Sequence, residues 1–189
     1  MIDRAIIAPP REPRGRFGRK ITVRLPLPDP ATGNTDEQVL ATLGVMRGLV
    51  RDAPRWNAIQ RLAQSPYPVY QICAAVTFRR DPRTAEAIRH PELLARHIEQ
   101  GGKPVGDCDD RATLGAAILH ARGQTPVFIV MSRRPGANFE HVYFGEMIEP
   151  GQPVSVANTI PYDPQERTPP GSWTPPAPQG GRVWIVPAT

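Results

Sequence analysis

Cys108 is the residue whose placement carries most chemistry in this chain. It follows Gly106-Asp107 and stands ahead of a run of small and apolar residues from Ala112 to Leu119. Asp107 is a good helix N-cap and Asp110, three residues on, completes a variant of the capping box, so Cys108 falls at the first helical position. There the free backbone N–H groups and the helix dipole favour a thiolate over a thiol. Asp107, Asp109 and Asp110 act against this, because like charge within a few ångströms raises a thiol pKa. A thiolate in this position needs a cationic partner. A histidinium in hydrogen-bond reach supplies one, and it can later give a proton to a leaving group.

Four histidines compete for that role. His120 lies twelve residues further along the same helix, out of reach at about 18 Å for a rise of about 1.5 Å per residue. His90 and His97 precede the Gly101-Gly102 pair, and nothing in their spacing aims either ring at the helix start. His141 opens a strand that must pack against the apolar helix, so it is the preferred base and acid. A third group orients the imidazole in such triads. Asp163, in Tyr162-Asp163-Pro164, is the leading candidate, with Asn158 and Asn138 as alternatives. Cys73 shares an apolar helix face with Val69, Ile72 and Val76 and reads as structural. Asp107, Asp109 and Asp110 read as supporting residues at the helix start, since the run lacks the glycine and later glutamate of a calcium loop. Zinc held by Cys108, His141 and an aspartate fits by ligand type but lacks a second cysteine or histidine, so neither metal nor cofactor is expected.

The elements that must position these residues follow from periodicity. Thr35 and Gln38 form a capping box ahead of Val39, Leu43, Met46 and Val50, which predicts a helix from about 36 to 51. Pro54 suits the first turn of a second helix carrying Trp56, Ile59 and Leu62, ended by Ser65-Pro66. A third helix, with Val69, Ile72, Cys73 and Val76, leads into an extended segment from Phe78 to Pro82. Pro91 opens a short helix that Gly101-Gly102 stops. After the cysteine helix ends near Gly123, Val127 to Met131 and His141 to Phe144 read as strands, with weaker ones at Val154 to Val156 and Arg182 to Val186. Helices followed by antiparallel strands give an α+β fold.

The segments Gly106-Asp107-Cys108-Asp109-Asp110, Ala112 to Gly123, Phe139 to Tyr143 and Tyr162-Asp163-Pro164 together resemble the transglutaminase-like superfamily of papain-fold cysteine enzymes. They are most similar to its short bacterial and phage-encoded members with a GDCDD motif, over about residues 66 to 165. The resemblance implies that Cys108 is the nucleophile, His141 the base and acid, and Asp163 the orienting carboxylate. It also implies a papain-like core, with N-terminal helices and a buried cysteine-bearing helix packed on an antiparallel sheet.

Composition limits the alternatives. The chain has 189 residues, 24 prolines and 40% hydrophobic residues, which excludes a coiled coil or an all-helical bundle over its whole length. Six prolines fall in residues 1–30 and ten in 150–189. The expected organisation is a basic Pro-rich arm at 1–34, a transglutaminase-like domain at 35–166, and a Pro-rich arm at 167–189 with a terminal strand. The net charge of +5 belongs to the first arm, where residues 1–24 hold seven basic and two acidic residues. Nucleic acid is therefore not an expected partner of the domain. No stretch approaches the roughly 20 apolar residues of a membrane helix, and the N-terminus lacks signal-peptide features, so a cytoplasmic protein, or a virion protein if phage-encoded, is expected.

The expected function is thioester chemistry on protein or peptide amide bonds, with hydrolysis favoured over cross-linking because a transamidase needs a second amine pocket. The alternative is a phage virion or assembly protein that retains the fold with little or no activity and contacts other structural proteins through its arms.

Overall fold

The structure is a computed structural model that describes residues 36–80, 87–132, 139–165, 169–172 and 182–189. The basic arm, Thr35, Asp81, Pro82, Asn138 and about half of the expected C-terminal arm lie outside the described residues. Helix α1 (Asp36–Asp52) buries Val39, Leu43, Met46 and Val50, the stripe its spacing predicts. Asp36 and Glu37 in its first turn and Arg51 in its last complement the helix dipole.

The second helix departs from expectation. Pro54 falls in a 3-10 turn (Ala53–Arg55), and helix α2 (Asn57–Ala63) begins later, with Trp56 at its N-cap. Indole offers no acceptor for the first-turn amides. Glu92 takes that role from another helix: its Oε2 accepts the N–H groups of Ala58 at 3.1 Å and Ile59 at 3.3 Å. The helix therefore starts where a tertiary carboxylate reaches it, not at the proline.

Helix α3 (Val69–Ala74) runs into strand β1 (Thr77–Phe78), which pairs in parallel with β2 (Val105–Gly106) immediately ahead of the cysteine. Between them lies α4 (Pro91–Glu99), which ends at Gly101, where φ is 72°. Glycine enters that left-handed region without steric cost. Helix α5 (Cys108–Ala121) follows, and its residues from Asp109 to Leu119 are all buried.

Among the described residues four further strands follow: β3 (Pro126–Met131), β4 (His141–Met147), β5 (Thr159–Tyr162) and β6 (Val183–Pro187). They form one antiparallel sheet in the order β5-β4-β3-β6. The strand expected at Val154–Val156 is absent: Val156–Asn158 is a 3-10 turn, and the strand begins at Thr159. Asn158 sets this boundary, its Oδ1 accepting the Glu149 N–H at 2.8 Å and its Nδ2 donating to Glu149 O at 3.1 Å. The chain end belongs to the sheet, with β6 paired to β3 and Ala188 fully buried.

The architecture is α+β. Helix α5 lies at its centre, against α1 to α4 on one side and β3 and β4 on the other. Phe128, Val130, Val142 and Phe144 face the helical core, while Val127, Ile129, Met131, Tyr143 and Met147 form a second cluster. This period-2 alternation buries β3 on both faces and explains its unbroken apolar run. Gly115 lets α5 approach β4, since a Cβ there would lie 2.4 Å from the Phe144 ring. Among the described residues no helix is long and apolar enough to cross a membrane.

Candidate active site

The start of α5 is built by its own acidic run. Asp107 has an extended backbone and caps the helix, with its N–H donating to Asp110 Oδ2 at 3.3 Å in a capping box. Gly106 is required by the same carboxylate, because a Cβ there would lie 2.7 Å from Asp110 Cβ and Oδ2. Asp110 in turn holds the segment before α4: its Oδ1 accepts the Arg89 N–H at 2.6 Å, and its Oδ2 pairs with the Arg89 guanidinium. Cys108 thus sits at the first position of a helix anchored by an ion pair whose carboxylate is buried. Its side chain is half-buried, whereas Cys73 is fully enclosed and burial pushes the Cys73 thiol pKa up.

His141 is the first residue of β4, in register with Met131 of β3. Its Nε2 lies 2.8 Å from Asp163 Oδ2, and both side chains are almost fully buried, at 2% and 1% exposure. Asp163 follows the last residue of β5 and also forms its own turn, with Oδ1 accepting the Gln165 N–H at 3.1 Å. One oxygen therefore fixes the carboxylate to the backbone while the other holds the imidazole. Cys108 and His141 together line two adjoining pockets, one of them shared with Asp163. With Nε2 engaged by the carboxylate, Nδ1 is the ring nitrogen left for other chemistry.

The electrostatics are less hostile to a thiolate than three neighbouring aspartates suggest. Asp109 is pushed well above the usual carboxylate range, first by burial and then by its hydrogen bond with Asp107. Asp110 is raised to about 6, chiefly by burial, and carries the Arg89 guanidinium against it. Arg111, three residues after Cys108, adds a buried cation. It lines the pocket shared by Cys108, His141 and Asp163, and it donates to Val76 O at 3.1 Å and Pro164 O at 3.3 Å. Those bonds tie the end of α3 to the turn that carries Asp163. Neither Arg89 nor Arg111 is legible as part of the site; the one available signal is Arg111 itself, a charged residue between the acidic run and the apolar stretch of the same helix.

The remaining candidates lie elsewhere. His90 caps α4, its Nδ1 accepting the Glu92 N–H at 3.3 Å, and its ring packs on Trp56. The ring of His97 occupies the space over Gly102, and His120 stands in the last turn of α5. Asn158 braces the loop before β5, and Asn138 lies outside the described residues. Asp107, Asp109 and Asp110 are the one grouping among the described residues with three ligand atoms, all within 4.8 Å of one another. The ties of Asp110 to Arg89 and to the Asp107 N–H already occupy one of those carboxylates.

Comparison of this chain with protein-family models, with curated proteins and with solved structures gives no match. The chemistry of the site therefore rests on its own residues.

Proposed function

We propose that this chain is a cysteine enzyme acting on protein or peptide amide bonds through a thioester, with Cys108, His141 and Asp163 as its triad. The observation that carries this reading is the buried 2.8 Å contact between His141 and Asp163 beside a half-buried cysteine at a helix N-terminus. The resemblance of these segments to the transglutaminase-like superfamily, and to a papain-like core, supports it.

In the proposed reaction the Nε2–H of His141 donates to Asp163, which presents Nδ1 to the Cys108 thiol and stabilises the imidazolium that forms. The thiolate sulfur bonds to the substrate carbonyl carbon, and the resulting oxyanion is held by the Cys108 backbone N–H. The C–N bond then breaks and the departing amine takes the proton from His141. Water, losing a proton to Nδ1, attacks the thioester, releasing a carboxylic acid and restoring the thiol. Hydrolysis is favoured over transfer to a second amine because water is abundant and transfer needs a second, amine-binding pocket.

The test is the pH dependence of Cys108 alkylation by iodoacetamide, read by intact mass and peptide mapping, in wild type and His141→Ala. Rapid labelling of wild type well below the free-thiol pKa of about 8.5, lost in the variant, is expected. Slow labelling in both proteins, as for an ordinary thiol, overturns the proposal. Cys73 serves as an internal control, since its burial keeps it unlabelled until the chain unfolds.

A further inference from the structure

Beside Cys108 and His141 lies a cavity of about 70 Å³. Its walls are Val39, Leu43 and Met46 of α1, Val130 of β3, Phe139, and Val142 of β4, and all six are at most 9% exposed. Asp109, Glu140 and Thr42 are its polar lining residues besides the site itself. We propose that this cavity is the subsite for an aliphatic side chain in the acyl portion of the substrate; the inference rests on the thioester reading above.

Size and chemistry point the same way. A single water needs only about 10–15 Å³, and an apolar cavity of about 150 Å³ takes benzene. A cavity of about 70 Å³ therefore suits a branched aliphatic group such as that of valine or leucine and is too small for an aromatic ring. Six apolar walls outnumber its polar groups, Asp109, Glu140 and Thr42, so an acidic or amide side chain would be desolvated there at a cost. One wall of the cavity is tied to the start of α1. Arg182 lies over the Phe139 ring at 4.7 Å and pairs with Asp36 at 2.9 Å, so one side chain links the Phe139 wall to the start of α1. Trp184 packs on Phe139 from β6, with ring centroids 4.2 Å apart. The walls therefore come from three separate parts of the chain, and α1 lies outside the stretch that carries the family resemblance.

The experiment uses the full chain and acetyl-dipeptidyl chloromethyl ketones with Gly, Val, Leu, Phe, Asp or Gln at either position. The Cys108 sulfur bonds to the ketone's methylene carbon as chloride departs with the electron pair, and labelling is followed by intact mass. At one of the two positions, Val or Leu is expected to react about tenfold or more faster than Gly, Phe, Asp and Gln. In Leu43→Ala the ratio of the Phe rate to the Leu rate rises about fivefold or more as the cavity widens. Iodoacetamide, which needs no subsite, separates the outcomes in wild type. If it labels Cys108 rapidly while the ketones show no aliphatic preference at either position, the subsite is overturned and the thioester chemistry stands. If neither reagent labels Cys108 faster than an ordinary thiol, the chemistry falls and the subsite falls with it.

Discussion

His141 and Asp163 meet at 2.8 Å although 22 residues separate them. The antiparallel return of β5 along β4, in register from Met147↔Thr159 to Phe144↔Tyr162, delivers Asp163 to the end of β4 where His141 begins it. The Asp163 carboxylate is held at both oxygens, by the imidazole and by the Gln165 N–H.

Asp163→Asn keeps the shape of this contact and changes its proton. The amide presents N–H to Nε2 and moves the ring proton to Nδ1, the nitrogen meant for the thiol. Alkylation of Cys108 at pH 6 is expected to slow about tenfold or more. An unchanged rate in Asp163→Ala, measured by intact mass, removes Asp163 from the triad.

Arg111→Met removes the donors to two carbonyls, Val76 O and Pro164 O, inside the fold. At about 1–3 kcal/mol for each carbonyl left without a partner, a loss of about 2–6 kcal/mol is expected. The urea midpoint reads it. Arg111→Lys, which keeps the charge and some of the bonding, should recover part of the loss.

Arg89→Ala leaves Asp110 buried without its counter-ion. Burial already raises the Asp110 pKa from 3.8 to about 6, while Arg89 pulls it down. The folded state therefore holds its proton more tightly than the unfolded chain, and this group's contribution to stability falls as pH rises from about 4 through about 6. Removing Arg89 raises the folded pKa further and extends that fall to higher pH. Unfolding measured at pH 8 should show a loss of about 3–5 kcal/mol. At pH 4.5, with the carboxyl protonated, the loss should be distinctly smaller; equal losses at both pH values would contradict the ion-pair account.

Gly115→Ala tests the contact between α5 and β4. Helix propensity alone favours alanine by about 1 kcal/mol. The new Cβ, however, lies 2.4 Å from the Phe144 ring, and overpacking of this kind costs about 1–3 kcal/mol. A net loss of stability is expected, with the melting temperature falling about 2–4 °C per kcal/mol. Phe144→Leu in the same chain should restore part of it.

The local features of the site are readable without the fold. The capping pair Asp107 and Asp110 puts Cys108 at a helix start because both signals lie within one turn of the residue they place. The stripe Val39, Leu43, Met46 and Val50 gives α1, and the apolar run of β3 gives a buried strand, because each pattern repeats with the period of its own element. Where the cause is distant, local pattern misleads. Pro54 has the form of a helix start, but the amides that need a cap find it in Glu92, 34 residues from Ala58. Val154–Val156 has strand-forming residue types, yet Asn158 bonds the loop back to Glu149 and delays the strand to Thr159.

By itself, then, the sequence determines the helix that carries Cys108 and the short set of histidines and acids that could serve it. Caps, periods and spacings act over a few residues, and they are written in those residues. Only the tertiary structure selects Asp163 as the partner of His141, brings Arg89 and Arg111 to the acidic run, and closes an apolar cavity between α1 and Phe139. Those relationships depend on strand register and on burial, and neither exists until distant parts of the chain have packed.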